Sequence, residues 1–152
     1  MDGNVHSEGL LSYTVDGVAV SKSAIRQTLV NENYSGHFGG GFHETDTNCT
    51  NPFFNGTTEN IGVLNVSQNS SAIVMAAVSN SGSCSYSGTL TQYGQMGDVV
   101  GTFACTNGAN GSFHIFEFQV TDYSIIGRFT AASASTGCQA SGWFGGLTVT
   151  TF

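Results

Sequence analysis

Few residues of this 152-residue chain could do chemistry. In the stretch YSGHFGGGFHETDTNC, residues 34–49, His37 and His43 flank a glycine run and are followed by Glu44, Asp46 and Cys49. Such residue types suggest a metal centre, whose ligand atoms must all reach one ion at about 2.0–2.6 Å. In a regular strand, at about 3.3 Å per residue, the two histidines lie roughly 20 Å apart. The spacing therefore predicts no metal there unless the glycines fold the strand back, and no cofactor is expected. A second candidate is His114 with Tyr86. Histidine titrates near neutrality, so beside a phenol it could orient a ligand or exchange protons as acid and base. The plainer expectation for His114 is a core histidine bonded to backbone, or a register slip by one residue that places it outside. The carboxylates Asp16, Glu44, Asp46, Glu59 and Glu117 show no spacing that brings two together, as glycosidic cleavage requires. A GxSxG elbow, an HExxH helix, a P-loop and an EF-hand loop are all absent from the sequence. Trp143, Tyr93 and Tyr123 offer rings on which a sugar could stack.

The elements that must hold these residues follow from composition. Charged residues are only 9% of the chain, aromatic residues 11%, with 21 glycines and one proline. Enough ring and β-branched surface is present to drive burial, and strong helix formers are scarce, which predicts an all-β fold. The net charge of −7 includes only three basic residues, Lys22, Arg26 and Arg128. No cationic face exists for phosphates, which argues against nucleic acid as a partner. No apolar run approaches the roughly 18 residues of a membrane-spanning helix, and no signal-peptide pattern is read, so a mature chain without a membrane span is expected. Four cysteines, Cys49, Cys84, Cys105 and Cys138, contain no CxxC pair. Two disulfides in a mature extracellular or periplasmic chain are expected.

From Tyr34 onward, alternating segments separated by Gly, Asn, Asp and Ser predict eight strands, roughly 33–44, 58–68, 71–79, 83–93, 97–106, 112–121, 124–132 and 137–150. Setting Cys84–Gln92 against Gly97–Cys105 places Cys84 opposite Cys105, Tyr86 opposite Phe103, Gly88 opposite Gly101 and Leu90 opposite Val99. Gly94-Gln95 then forms a type II′ turn, and directly opposed cysteines predict a Cys84–Cys105 bond. The same exercise sets Val120, Phe118, Phe116 and His114 against Ile125, Gly127, Phe129 and Ala131, with Glu117 across from Arg128. It also sets Val66, Leu64 and Gly62 against Ile73, Met75 and Ala77, and Phe129, Gly127 and Ile125 against Ala140, Gly142 and Phe144. In an up-and-down order the end of the first strand and the start of the last share one rim. Those points carry Cys49 and Cys138, so a second bond is expected to clasp a closed barrel, which also removes exposed sheet edges.

The expected fold is thus all-β, an eight-stranded antiparallel up-and-down meander closed into a barrel, one domain over 1–152 with a covering segment (1–32) and the meander (33–152). The covering segment holds a hairpin at Asp16-Gly17, followed by SAIRQTLV as a short helix or strand. It is expected to lie over outward apolar residues Phe113, Ile115, Ile126, Trp143 and Leu147. Alternatively Ile115, Ile126 and Trp143 form a homo-oligomer interface. In strand number and order the fold resembles calycin-type barrels such as lipocalins and avidins; none of their signature residues occurs, so the resemblance carries no site. The interior expected from alternation holds Leu64, Met75, Tyr86, Phe103, His114, Phe116, Phe118, Phe129 and Phe144. A barrel of eight strands is just wide enough to be filled by such side chains or to hold one small ligand. The expected function is non-catalytic: binding a small apolar or aromatic ligand through Tyr86, Phe103, His114, Phe116, Phe118 and Phe129, or a glycan on the surface. The alternatives are a barrel isomerase or cyclase using His114 and Tyr86, and a structural or adhesive extracellular subunit.

Overall fold

The computed structural model describes residues 8–25 and 31–149. The chain forms two compact units, Met1–Val30 and Asn31–Phe152. The first is a two-stranded hairpin, β1 (Glu8–Val15) and β2 (Val18–Ile25). Asp16 and Gly17 both have positive φ, 50° and 81°, the backbone of a type I′ turn, whose twist matches that of the flanking strands. Most of SAIRQTLV lies outside the described residues.

The second unit is a closed antiparallel barrel of eight strands. They are β3 (Gly36–Thr47), β4 (Gly56–Asn69), β5 (Ala72–Ser79), β6 (Gly82–Tyr93), β7 (Met96–Cys105), β8 (Asn110–Val120), β9 (Ser124–Ser133) and β10 (Gln139–Thr148). Each pairs with its neighbours in sequence, and β10 closes onto β3 with Gly142 beside Glu44 and Phe144 beside Phe42. A 3-10 turn at Pro52–Phe54 bridges β3 and β4. Closure needs strands to bend and approach closely, and glycine makes this feasible at inward positions. A Cβ on Gly101 would collide with the Ser87 carbonyl, and one on Gly142 with the His43 carbonyl.

The β6–β7 register is the expected one, Cys84 opposite Cys105 and Tyr86 opposite Phe103. Two other registers move by two residues: Leu64 pairs with Ala77 and Val66 with Met75, while Phe129 pairs with Gly142 and Gly127 with Phe144. Because the side-chain period is two, these shifts leave every residue on its assigned face.

Strand β8 requires a correction of face. Val120 still meets Ile125, but Phe116 meets Arg128, Ile115 meets Phe129, and Phe113 meets Ala131. The register shifts between Phe116 and Gln119, and Glu117 sits at a φ of 52°. This is a β-bulge, which adds one residue and so inverts the parity of all that precedes it. Phe113 and Ile115, expected outside, are buried in the barrel; His114 and Phe116, expected inside, lie on its outer wall. Ile115 is therefore not available as an interface residue. Glu117 nevertheless reaches Arg128 at 3.8 Å.

The lower end of the barrel is solid. Tyr34 and Phe118 are both 0% exposed and stack at 4.6 Å between ring centroids. The Tyr34 hydroxyl donates to the Phe118 carbonyl at 3.2 Å. Gly97 leaves the space that this hydroxyl occupies. Val66, Ile73, Leu90 and Val99 fill the rest of this half, and Phe38, Met75 and Ile125 cap it beneath the space above.

Candidate functional site

Above this floor the barrel is hollow. A cavity of about 840 Å³ runs up to the rim where the chain turns at Asn80-Ser81 and at Thr106–Ala109, a size usual for small-molecule sites. Its walls are Tyr86, Phe103, Phe113, Phe129 and Phe144, spaced by Ala77, Ala131 and Ala140. The Tyr86 ring meets Phe113 edge-on at 5.4 Å and lies 6.0 Å from Phe103. Small residues on neighbouring strands leave space beside these rings, and the lumen they border stays open.

Both disulfides close this same rim. Cys84–Cys105 ties β6 to β7, and Cys49–Cys138 joins the chain just after β3 to the chain just before β10. Thr50 N–H donates to the Thr136 carbonyl beside the second bond. Uncharged polar side chains also tie the rim together: Asn60 donates to Ser79 and Ser81 across β4 and β5.

Two carboxylates face into the cavity. Phe38, Gly40, Phe42, Glu44 and Asp46 share the inward face of β3, and Glu44 and Asp46 line the cavity together. Contrary to the expectation that no two acids meet, the two carboxyls share one face of the cavity lining. Burial, then the charge of Asp46 and a hydrogen-bonding interaction with it, push the Glu44 carboxyl up to about 7. Burial also raises Asp46, an effect the bond from Glu44 opposes. The pair thus holds a proton through the mildly acidic range. Tyr86 is pushed up to about 12, first by burial and then by Glu44. It remains a neutral hydroxyl at any ordinary pH. The signal for this pair was present: two acids at i and i+2 in a strand whose Phe42 faces inward must share the inward face.

Of the six expected ligand contacts, Tyr86, Phe103 and Phe129 line the cavity. Phe118 is interior but belongs to the solid floor. His114 and Phe116 are on the outer wall, where His114 Nε2 lies 2.7 Å from Asp98 Oδ2 and Arg128 lies over the Phe116 ring at 5.9 Å. The His114–Tyr86 pair does not assemble, since the two side chains point to opposite faces. Near Cys49 and Cys138 the Asp46 carboxylate lies within 4.8 Å of both sulfurs, but a disulfide sulfur is no thiolate ligand.

On the outer wall, His43 and Trp143 stack at 3.9 Å between centroids and 13° between planes, with His43 Nδ1 3.0 Å from Glu59. Trp143 is 55% exposed and borders a shallow hollow with Gly41, Asn60 and Ile61. Tyr93 and Tyr123 are exposed near turns. Among the described residues no helix is long and apolar enough to cross a membrane. No protein family, curated protein or solved structure matches the chain.

Proposed function

We propose that the protein is a non-catalytic binding protein of an oxidising compartment, extracellular or periplasmic, which holds one small apolar or aromatic molecule in the hollow half of its barrel. The observation that carries this reading is the cavity itself: about 840 Å³, walled by rings and reaching one rim of the barrel. Apolar pockets with a few convergent polar groups are the usual form of a small-molecule site. Two disulfides support the compartment, because such bonds persist where glutathione does not reduce them. The experiment uses the neutral dye Nile red. Its fluorescence should rise on adding the protein, and Ala131→Trp, which fills the cavity from β9, should abolish the rise without loss of thermal stability. An undiminished rise in Ala131→Trp overturns the cavity reading.

A second reading, a glycan held on the outer wall, is favoured by the exposed Trp143 ring braced by His43 beside Glu59 and Asn60. Retention on immobilised glycans that Trp143→Ala removes, and Ala131→Trp leaves intact, would support it. The exposed Ile126 and Trp143 also suit a contact between copies of the chain. A concentration-dependent sedimentation coefficient, reverted by Trp143→Ala, would identify that contact.

A further inference from the structure

We propose that the cavity selects an organic cation, a protonated amine on an aromatic or aliphatic body, with the ammonium group at Glu44 and Asp46 and the body among Phe103, Phe129 and Phe144. The inference rests on the cavity reading and adds the ligand's charge. Among the described residues the cavity lining contains two carboxylates and no Lys, Arg or His. An anionic ligand would meet like charge in a partly desolvated space with nothing to offset it. A neutral apolar ligand would fill the aromatic half and leave the acids unused. A cation meets both parts: carboxylates form charge-assisted hydrogen bonds with an ammonium, and ring faces attract cations through their quadrupoles. The groups around Glu44 do not compete. Asp46 lies on the same strand and Tyr86 faces it across the lumen, while its paired neighbours are Thr58 on β4 and Gly142 on β10.

Binding has a proton balance that can be counted. The ammonium arrives with its own proton and forms hydrogen bonds to both carboxylates; the carboxyl O–H bond breaks, its proton passes to buffer, and no bond between heavy atoms changes. Amine binding should therefore release up to one proton near pH 6.5, a neutral ligand none.

The test compares three probes of one shape by calorimetry at pH 6.5 in two buffers of different ionisation enthalpy: 2-phenylethylamine, 2-phenylethanol and 3-phenylpropionate. The amine should bind at least tenfold more tightly than the alcohol, the carboxylate more weakly than either, and only the amine should release a proton. In Glu44→Gln/Asp46→Asn the amine's advantage should vanish while the alcohol's affinity holds, which also shows that the cavity remains formed. Equal binding of amine and alcohol by the unmodified protein overturns the cation inference and leaves the cavity reading standing. Binding of none of the three, together with no Nile red response, overturns both.

Discussion

The two halves of the barrel are built from the same eight strands and end in opposite states. In the lower half, Tyr34 plugs the end and stacks on Phe118, and Leu90, Val99 and Ile73 leave no lumen. In the upper half, the corresponding inward positions are Ala77, Ala131, Ala140 and the two acids, and the rings that remain stand around a void. Hydrophobic burial can therefore hold the lower half together, whereas the upper half needs another restraint. Both disulfides lie there. A hollow end that must keep its shape without a packed interior is held by covalent bonds at its rim.

Breaking those bonds should have the largest effect. The chain-entropy relation gives about 4.6 kcal/mol for a loop the size of that closed by Cys49–Cys138 and about 3.4 kcal/mol for the shorter one at Cys84–Cys105, the sequence separations being 89 and 21. Urea unfolding of the paired Cys→Ala variants should show the first to be the costlier by about 1 kcal/mol. Equal losses would mean that the bonds act on the native rim and not through the unfolded chain.

The next contrast sets floor against wall. Tyr34→Ala removes a fully buried ring and a hydrogen bond, and should cost about 4 kcal/mol. Phe103→Ala, at a ring already bordering empty space, should cost about half as much, because the lost contacts are fewer and no new closed void is made. If the two losses are equal in urea unfolding, the upper half is filled in solution.

Much of this contrast was legible in the sequence, and the parts that were not have definite causes. Alternation and turn chemistry set the β6–β7 register to the residue, because Gly94 shapes the turn and two cysteines face each other. The hairpins with ambiguous turns slipped by two residues, which left their faces intact. Strand β8 failed at the level of face. It carries apolar residues at 113 and 115, then at 116, 118 and 120. That adjacent pair, Ile115-Phe116, marks the change of parity, but a single-period reading carried Phe118 inward and His114 with it. The acid pair was missed for a different reason. The expected first strand ends at residue 44 and leaves Asp46 outside it, whereas β3 runs to Thr47 and the alternation that turns Phe42 inward turns both acids inward.

Acid pair and floor also differ in how they respond to pH. A carboxyl whose folded-state value is raised binds protons more tightly in the folded state, so stability falls as pH rises from the unfolded value to the folded one. For Glu44 that window runs from 4.5 to about 7, and Asp46, also raised, acts in the same direction. The protein should be more stable at pH 4.5 than at pH 7.5, by about 2 kcal/mol once the partial solvent access of the site is allowed for. Glu44→Gln should flatten most of this slope in thermal melts across that range. A slope unchanged by Glu44→Gln would place its origin outside the cavity.

The smallest expected effect tests what separates the two halves on β8. The bulge at Glu117 lets Phe118 and Val120 face the floor below it while Phe113 and Ile115 face inward above it. A non-glycine residue at a φ of 52° sits in the left-handed region at a cost of roughly 1 kcal/mol. Glu117→Gly removes that strain, adds the entropy of a more flexible unfolded chain, and gives up the exposed pair with Arg128, whose contribution is about 0–1 kcal/mol. The terms nearly cancel, so the melting temperature should move by no more than about 3 °C. Glu117→Val, with a branched side chain that tolerates this backbone poorly, should lose about 1–2 kcal/mol while burying nothing new. If valine is tolerated as well as glycine, β8 has reverted to unbroken alternation. His114 and Phe116 would then turn inward, and the boundary between the solid and hollow halves would no longer lie where the bulge sets it.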